Sequence, residues 1–453
     1  MNHQRGTALG PARSLTSAVL LVAVVLPAQA VTVPPAGARD VRTCDGLAAT
    51  IIGTSGDDFL SGTPGDDVIA GLAGNDYIDA GAGNDVVCGG SSTRGGEENQ
   101  SLFGGRGRDT LLGGSDADDL YGGGGNDVMR GRRGADYLSG DADKQPGVDR
   151  LFGGRGSDYL DGMYADDELH GGRGPDELAD ALASNVEFGG RGGDLLRSGP
   201  ANEELDGGPG RDAVDYTMVD GGRSHCNDVS VDLTTGTGTA EGFGTDHLTS
   251  IEDAYSAGGR DVLNGDEGQN LFYPGEPCRP AWRDRVQGGG GDDTLSFATE
   301  LIAFESAAGP VRVDLAAGVA VTPGDRGAVR VTFASIENVD GTGDYGDELL
   351  GNDEDNVFNG GWASVGFFGG EGDLIRARGG ADVLWGTRHG DRMYGGRGRD
   401  SLRGRAGADH LWGQRGADLL EGGRGRNHNA GGKGHDVCRH PAAGPRAVSC
   451  EAQ

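Results

Sequence analysis

From Gly53 an aspartate returns every nine residues, in GTSGDDFLS, GTPGDDVIA, GLAGNDYID and AGAGNDVVC. Asp58, Asp67, Asp76 and Asp85 hold the sixth position, and Leu60, Ile69, Ile78 and Val87 the eighth. A carboxylate beside the carbonyls of a tight turn is a set of hard oxygen donors, the kind that Ca2+ takes. Repetition points to a row of such sites. A second run places Asp109, Asp118, Asp127 and Asp136 in phase, and after four inserted residues Asp149, Asp158, Asp167 and Asp176 resume it. Asp194 and Asp212 follow, repeat-like turns carry Asp261, Asp293 and Asp347, and a third run carries Asp382, Asp391, Asp400, Asp409, Asp418 and Asp436. Their recurrence makes ion ligation a simpler reading than paired glycosidase carboxylates.

These carboxylates need a short, repeated element to hold them. A glycine-rich hexapeptide turns the chain through φ > 0 conformations, and the three residues after it make a short strand with the eighth position facing inward. Leu111, Leu120, Met129, Leu138, Leu151 and Leu160 keep that inward column in step with the aspartates. Glycine supplies 91 of 453 residues, far above the usual ~7%. It shows no G-X-Y period, which excludes collagen. The pattern G-G-x-G-x-D-x-U-x, with U apolar, is that of a calcium-binding parallel β-helix.

The pattern resembles the RTX, or haemolysin-type, calcium-binding repeat. The resemblance implies an all-β fold: a parallel β-roll or β-helix solenoid of glycine-rich nonapeptide repeats, here with two longer-stranded inserts. It further implies that successive nonapeptides alternate between two sheets, so that Asp109 and Asp127 share one ion and Asp118 and Asp136 another. Relatives often carry a protease or lipase domain beside the repeats. This sequence has no H-E-x-x-H and no G-x-S-x-G, and repeats, inserts and leader fill almost all of it. We therefore expect no enzyme. The competing readings are an extracellular hydrolase with its centre in the inserts and an adhesin binding anionic envelope polymers through its arginines.

The inserts are related. Val229 to Gly265 and Val311 to Gly351 each open on V-x-V-D-L, and Ser250-Ile251-Glu252 matches Ser335-Ile336-Glu337. Their alternation reads as longer strands that continue or cap the solenoid. The phase fails at Glu187, which falls in an inward slot. An unpaired carboxylate is costly to bury, so a bulge, slip or outward loop is expected there. It fails again at Asn427 and Asn429, which predicts a weak or absent ion site.

A net charge of −32 with few large apolar residues predicts a chain that is unfolded or loosely collapsed until calcium supplies the missing free energy. Arg5 and Arg13, the apolar run Ala18 to Leu26 and Ala28-Gln29-Ala30 read as a secretory signal peptide, with no segment long enough to span a membrane. Cys44, Cys88, Cys226, Cys278, Cys438 and Cys450 fit an oxidising compartment, and of fifteen pairings the sequence neighbours Cys44–Cys88, Cys226–Cys278 and Cys438–Cys450 are preferred. The organisation read from the sequence is a signal peptide (1–30), a linker (31–43), an N-terminal repeat block with its cap (44–100) and a central block (101–215). The first insert (216–255), a short repeat segment (256–293), the second insert (294–341), a C-terminal block (342–439) and a tail (440–453) complete it. Recurrent arginines, among them Arg155, Arg173, Arg191, Arg397 and Arg415, are the one hint of a partner beyond calcium, an anionic envelope polymer. Nucleic acid is disfavoured because no aromatic platform interleaves with them.

Overall fold

Tyr159-Leu160-Asp161, Glu177-Leu178-Ala179 and Leu195-Leu196-Arg197 lie side by side as parallel strands, with the three leucines in register. This is the unit of the whole fold. The computed structural model describes residues 43–90, 99–141, 146–179, 183–217, 227–256, 258–275, 283–298, 309–322, 329–343, 345–361 and 371–439. Successive nonapeptides alternate between two sheets. One runs from Ile51–Ile52 to His428–Lys433 and the other from Phe59–Ser61 to Val437–Arg439. Where residues are inserted, as between Val128 and its partner Arg150, the register is kept.

The inward column of each sheet makes the core. Leu111, Leu120, Met129, Leu138, Leu151 and Leu160 are all fully buried. Burying each such side chain contributes roughly 1.5–3 kcal/mol, so a core one residue deep suffices when many coils stack. Among the described residues, large aromatics enter the core near the inserts, as Tyr216, Phe272 and Phe358. On the outer face of the second sheet Phe59, Tyr77, Phe103, Tyr121, Tyr137 and Tyr159 form a ladder with ring centroids 4.8 to 5.7 Å apart.

Each insert is a three-stranded antiparallel meander spliced into the first sheet. Val229–Asp232, Thr237–Ala240 and Thr245–Thr249 form one. Its last strand pairs in parallel with Glu204–Asp206 and its first with Val262–Asn264. Arg312–Asp314, Val319–Thr322 and Val329–Ala334 repeat the arrangement between Arg283–Gln287 and Glu348–Leu350. The second sheet passes both inserts unbroken, pairing Ala213–Asp215 with Asp253–Tyr255 and Thr294–Ser296 with Asn338–Asp340. The inserts thus continue the solenoid.

The expectation for Glu187 is corrected. It sits in strand Val186–Arg191, in register between Leu169 and Leu205, and is fully buried. The pairing of its strand on both sides fixes the register, and a slip would turn every neighbouring side chain to the wrong face. The core divides at this residue: one apolar cluster ends at Leu178 and the next begins at Leu196.

At the N-terminal end, Thr43–Cys44 and Leu47–Ala48 form a hairpin tied to the roll by the Cys44–Cys88 disulfide. Cys438, in an inward slot beside Leu420, is disulfide-bonded as well. The expected partner Cys450, the pair Cys226–Cys278 and the leader lie outside the described residues. Among the described residues no helix is long and apolar enough to cross a membrane.

Candidate metal site

Each turn delivers its aspartate to the start of a strand, one coil above the aspartate before it. The carboxylate then has a fixed task for one oxygen. Asp127 Oδ1 accepts the backbone N–H of Asp109 at 2.7 Å, and Asp136 Oδ1 that of Asp118 at 2.9 Å. The same bond recurs from Asp149 to Asp127, Asp158 to Asp136, Asp176 to Asp158, Asp194 to Asp176 and Asp212 to Asp194. In the C-terminal block it joins Asp400 to Asp382, Asp409 to Asp391, Asp418 to Asp400 and Asp436 to Asp418. Two rows result, one at each edge of the roll. The eighteen-residue alternation implied by the family resemblance is therefore the observed one.

The second oxygen has no such task. Oδ2 is buried and meets no hydrogen-bond donor in Asp85, Asp109, Asp118, Asp127, Asp136, Asp149, Asp158, Asp176, Asp194, Asp212, Asp293, Asp382, Asp400, Asp409 and Asp418. Buried carboxylate oxygens are ordinarily satisfied, so so long a row of orphans calls for a cation. A main-chain carbonyl lies beside several of them. A methyl group placed on Gly104 would meet Asp109 Oδ2 and Gly122 O, each at 2.6 Å; on Gly122 it would meet Asp127 Oδ2 and Gly140 O at 2.6 and 2.7 Å. The turns keep this space clear at a cost. Arg132, Arg378, Arg405 and Gln414, at the second repeat position, have φ of 83, 77, 66 and 77°. A left-handed conformation costs a non-glycine residue on the order of 1–2 kcal/mol. In these four turns the Oδ2 atoms of Asp136, Asp382, Asp409 and Asp418 are left without a donor.

Other coils close the same space with protein atoms. Thr63 donates its N–H, at 2.6 Å, and its hydroxyl, at 2.8 Å, to Asp67 Oδ2. Thr54 does so for Asp58, and Thr342 for Asp347. Thr387 gives its N–H to Asp391 Oδ2, with its hydroxyl on Oδ1. Ser256 donates to Asp261 Oδ2 at 2.9 Å, and Ser198 to Glu203 Oε2 at 3.1 Å. Amides fill the position elsewhere. Gln100 accepts from Asp76 N–H and donates to Gly74 O at 2.6 Å; Asn427 accepts from Asp409 N–H and donates to Gly423 O at 3.1 Å. An amide thus puts an N–H where the orphan oxygen would stand, as Asn427 does with its bond to Gly423 O.

Burial dominates protonation in open coils and in several closed ones, raising Asp347, Asp391 and Glu203 although Thr342, Thr387 and Ser198 donate to them. Burial pushes Asp109, Asp158, Asp212 and Asp293 up to about 6, Asp118, Asp149, Asp176 and Asp382 to about 7, and Asp127, Asp136 and Asp409 to about 8. Asp67 moves the other way, lowered first by the Thr63 N–H and then by its hydroxyl. Asp261 is pushed to about 8 by burial and by nearby Asp284. Burial thus disfavours a bare charge on these carboxylates, a cost that a proton or a cation relieves.

All the aspartates singled out from the sequence occupy the two rows. Asp76 and Asp167 are as buried as their neighbours, and Asp58 is half-buried. Asp246, Asp284, Asp373, Glu203 and Gln100 also stand in the rows and were not foreseen. Asp373 accepts from Asp347 N–H at 2.9 Å and has an orphan Oδ2. The usable signal was the short D-x-U of Asp284-x-Val286, without glycines before it, and of Asp373-x-Ile375, where Gly369-Gly370-Glu371-Gly372 precedes the aspartate. Among the described residues no three His, Cys, Asp or Glu side chains converge, so an ion here must draw on main-chain carbonyls.

The sequence profile of the RTX calcium-binding nonapeptide repeat matches residues 50–91, 94–129, 121–144, 145–178, 188–214, 283–297, 368–402, 394–428 and 403–438. The chain belongs to this family. The RTX repeats so matched cover more than half of the protein and leave out most of both inserts. No curated protein matches the chain.

Proposed function

We propose that the protein is a secreted, non-catalytic RTX roll whose coils are completed by Ca2+, serving a structural or surface-binding role outside the cell. The ions would be held by the orphan Oδ2 atoms of the two rows together with turn carbonyls such as Gly122 O and Gly140 O. The ion supplies the positive charge that lets these buried carboxylates ionise and ties one coil to the next. The rows of donorless buried oxygens carry this reading. Coils closed by Thr54, Thr63, Ser256, Thr342 and Thr387, or by Gln100 and Asn427, would order without an ion. The leader-like N-terminus and the cysteine usage support export.

The test is a calcium titration followed by circular dichroism. Chelator at pH 7.5 is expected to give a largely disordered spectrum and calcium, in the ~10⁻⁴–10⁻³ M range common to extracellular modules, a strand spectrum that chelation reverses. A folded spectrum unchanged by excess chelator at that pH would end the proposal.

A further inference from the structure

We propose that the edge of the roll where the first sheet ends binds a linear phosphodiester polymer through two ladders of cations. Arg133, Arg155, Arg173 and Arg191 are mutual register partners at the ends of successive strands. Arg397, Arg415 and Lys433 repeat the arrangement in the C-terminal block. All seven are exposed, and none of them forms an ion pair among the described residues. Other arginines are paired, as Arg150 with Glu168 and Arg211 with Asp253. Like charges stacked one strand spacing apart, ~4.8 Å, repel one another, so nothing within the fold favours them. A chain of net charge −32 nonetheless builds two such ladders on one edge.

The C-terminal ladder lines a groove of about 420 Å³ with Arg378 and Gln414, and no carboxylate contributes to it. The residues between each cation and the buried aspartate row are Ala135, Ser157, Pro175 and Gly193 in one block and Arg399, Ala417 and His435 in the other. The ladder is therefore not neutralised from its own turns. Guanidinium forks suit phosphate oxygens, and a flexible backbone can follow the rungs. Single-stranded nucleic acid is the weaker fit because the turns offer no aromatic rings for bases. One clause rests on the calcium reading: divalent ions in the row of Asp136, Asp158, Asp176 and Asp194 add positive charge beneath the ladder, so polymer binding should strengthen with calcium.

The probe is poly(glycerol phosphate), titrated against the full chain in millimolar calcium. Binding is expected, weakening with salt at about −0.7 in log K per log salt for each phosphate neutralised, hence a slope of −2 or steeper. The variant Arg133→Gln, Arg155→Gln, Arg173→Gln, Arg191→Gln and the variant Arg397→Gln, Arg415→Gln, Lys433→Gln should each lose about tenfold or more. Arg106→Gln with Arg424→Gln, on the opposite edge, should change nothing. Dichroism in calcium verifies folding of every variant. Wild-type affinity in both ladder variants would overturn the proposal. Equal affinity for dextran sulfate, or tighter binding of single-stranded DNA, would overturn the assignment of phosphodiester. Calcium content measured on the same samples separates this failure from failure of the calcium reading, since ion-loaded protein without polymer binding refutes the ladder alone.

Discussion

Asp127→Asn should change sign with calcium. Asparagine keeps an oxygen for the Asp109 N–H, now 2.7 Å from Asp127 Oδ1, and replaces the orphan Oδ2 with an amide. Asn427 shows that a coil accepts this, its amide donating to Gly423 O. In chelator, folding lifts the Asp127 pKa from 3.8 to about 8 through burial. A group raised on folding adds stability below its unfolded pKa and loses it as pH climbs towards the folded value. At pH 6 the folded roll must hold a proton the unfolded chain has released. At ~1.36 kcal/mol per pH unit, that costs about 3 kcal/mol, an upper bound because neighbouring carboxylates share the load. The variant escapes it. Urea midpoints in chelator should therefore rise at pH 6 and stay near wild type at pH 3.5. In calcium at pH 7.5 the variant should be the less stable and need more calcium to fold. A variant destabilised in chelator at pH 6, or unaffected in calcium, would refute the orphan-oxygen argument.

Three further outcomes are expected. Cys44→Ser with Cys88→Ser opens a crosslink spanning 44 residues, worth about 4 kcal/mol by loop entropy; hydrogen exchange should show the first coils fraying while the strands from Ser101 onward keep their protection. Glu187→Leu joins the two apolar clusters and should raise stability by about 1–4 kcal/mol in thermal melts, and a fall would mean the carboxylate serves the fold. Phe103→Ala removes stacking on both Tyr77 and Tyr121. At ~0.5–1.5 kcal/mol per pair it should cost about 1–3 kcal/mol in urea unfolding, with calcium content unchanged.

The repeat blocks were legible because one sequence column, the aspartate, and another, the inward residue, each answer to a separate physical demand. Asp118 with Leu120 and Asp400 with Leu402 could be placed from spacing alone. Asp284 was missed because its turn lacks glycine and Asp373 because its Gly369-Gly370-Glu371-Gly372 turn is one residue short of the repeat; stacking on Asp261 and Asp347 puts them in the row. Glu187 was misread for a related reason. Its burial cost is local, whereas its register is imposed by Leu169 and Leu205 from adjoining coils. In the inserts the alternation of Val229-Val231 and Val311-Val313 announced strands, but not that each meander would enter the first sheet by its last strand. The division between open and closed sites lay in the sequence too, at Thr54, Thr63, Thr342 and Thr387, yet its meaning needs the direction of an N–H.

The bond from each aspartate to the main chain of the coil beneath makes ion loading a linear chain of coupled switches. An ion that shifts one carboxylate moves the N–H to which the carboxylate below it is attached, so occupancy should spread along a row as in a one-dimensional lattice. Such a lattice has domain walls wherever a link ignores the ion. Gln100 and Asn427 are walls of this kind, and so is Asn185, whose Oδ1 accepts from Asp167 N–H. One row is then a block from Asp118 to Asp212, the other a block from Asp85 to Asp167, and each should fill with its own cooperativity. A single smooth calcium isotherm would conceal several short transitions, their lengths written by where an amide replaces an acid.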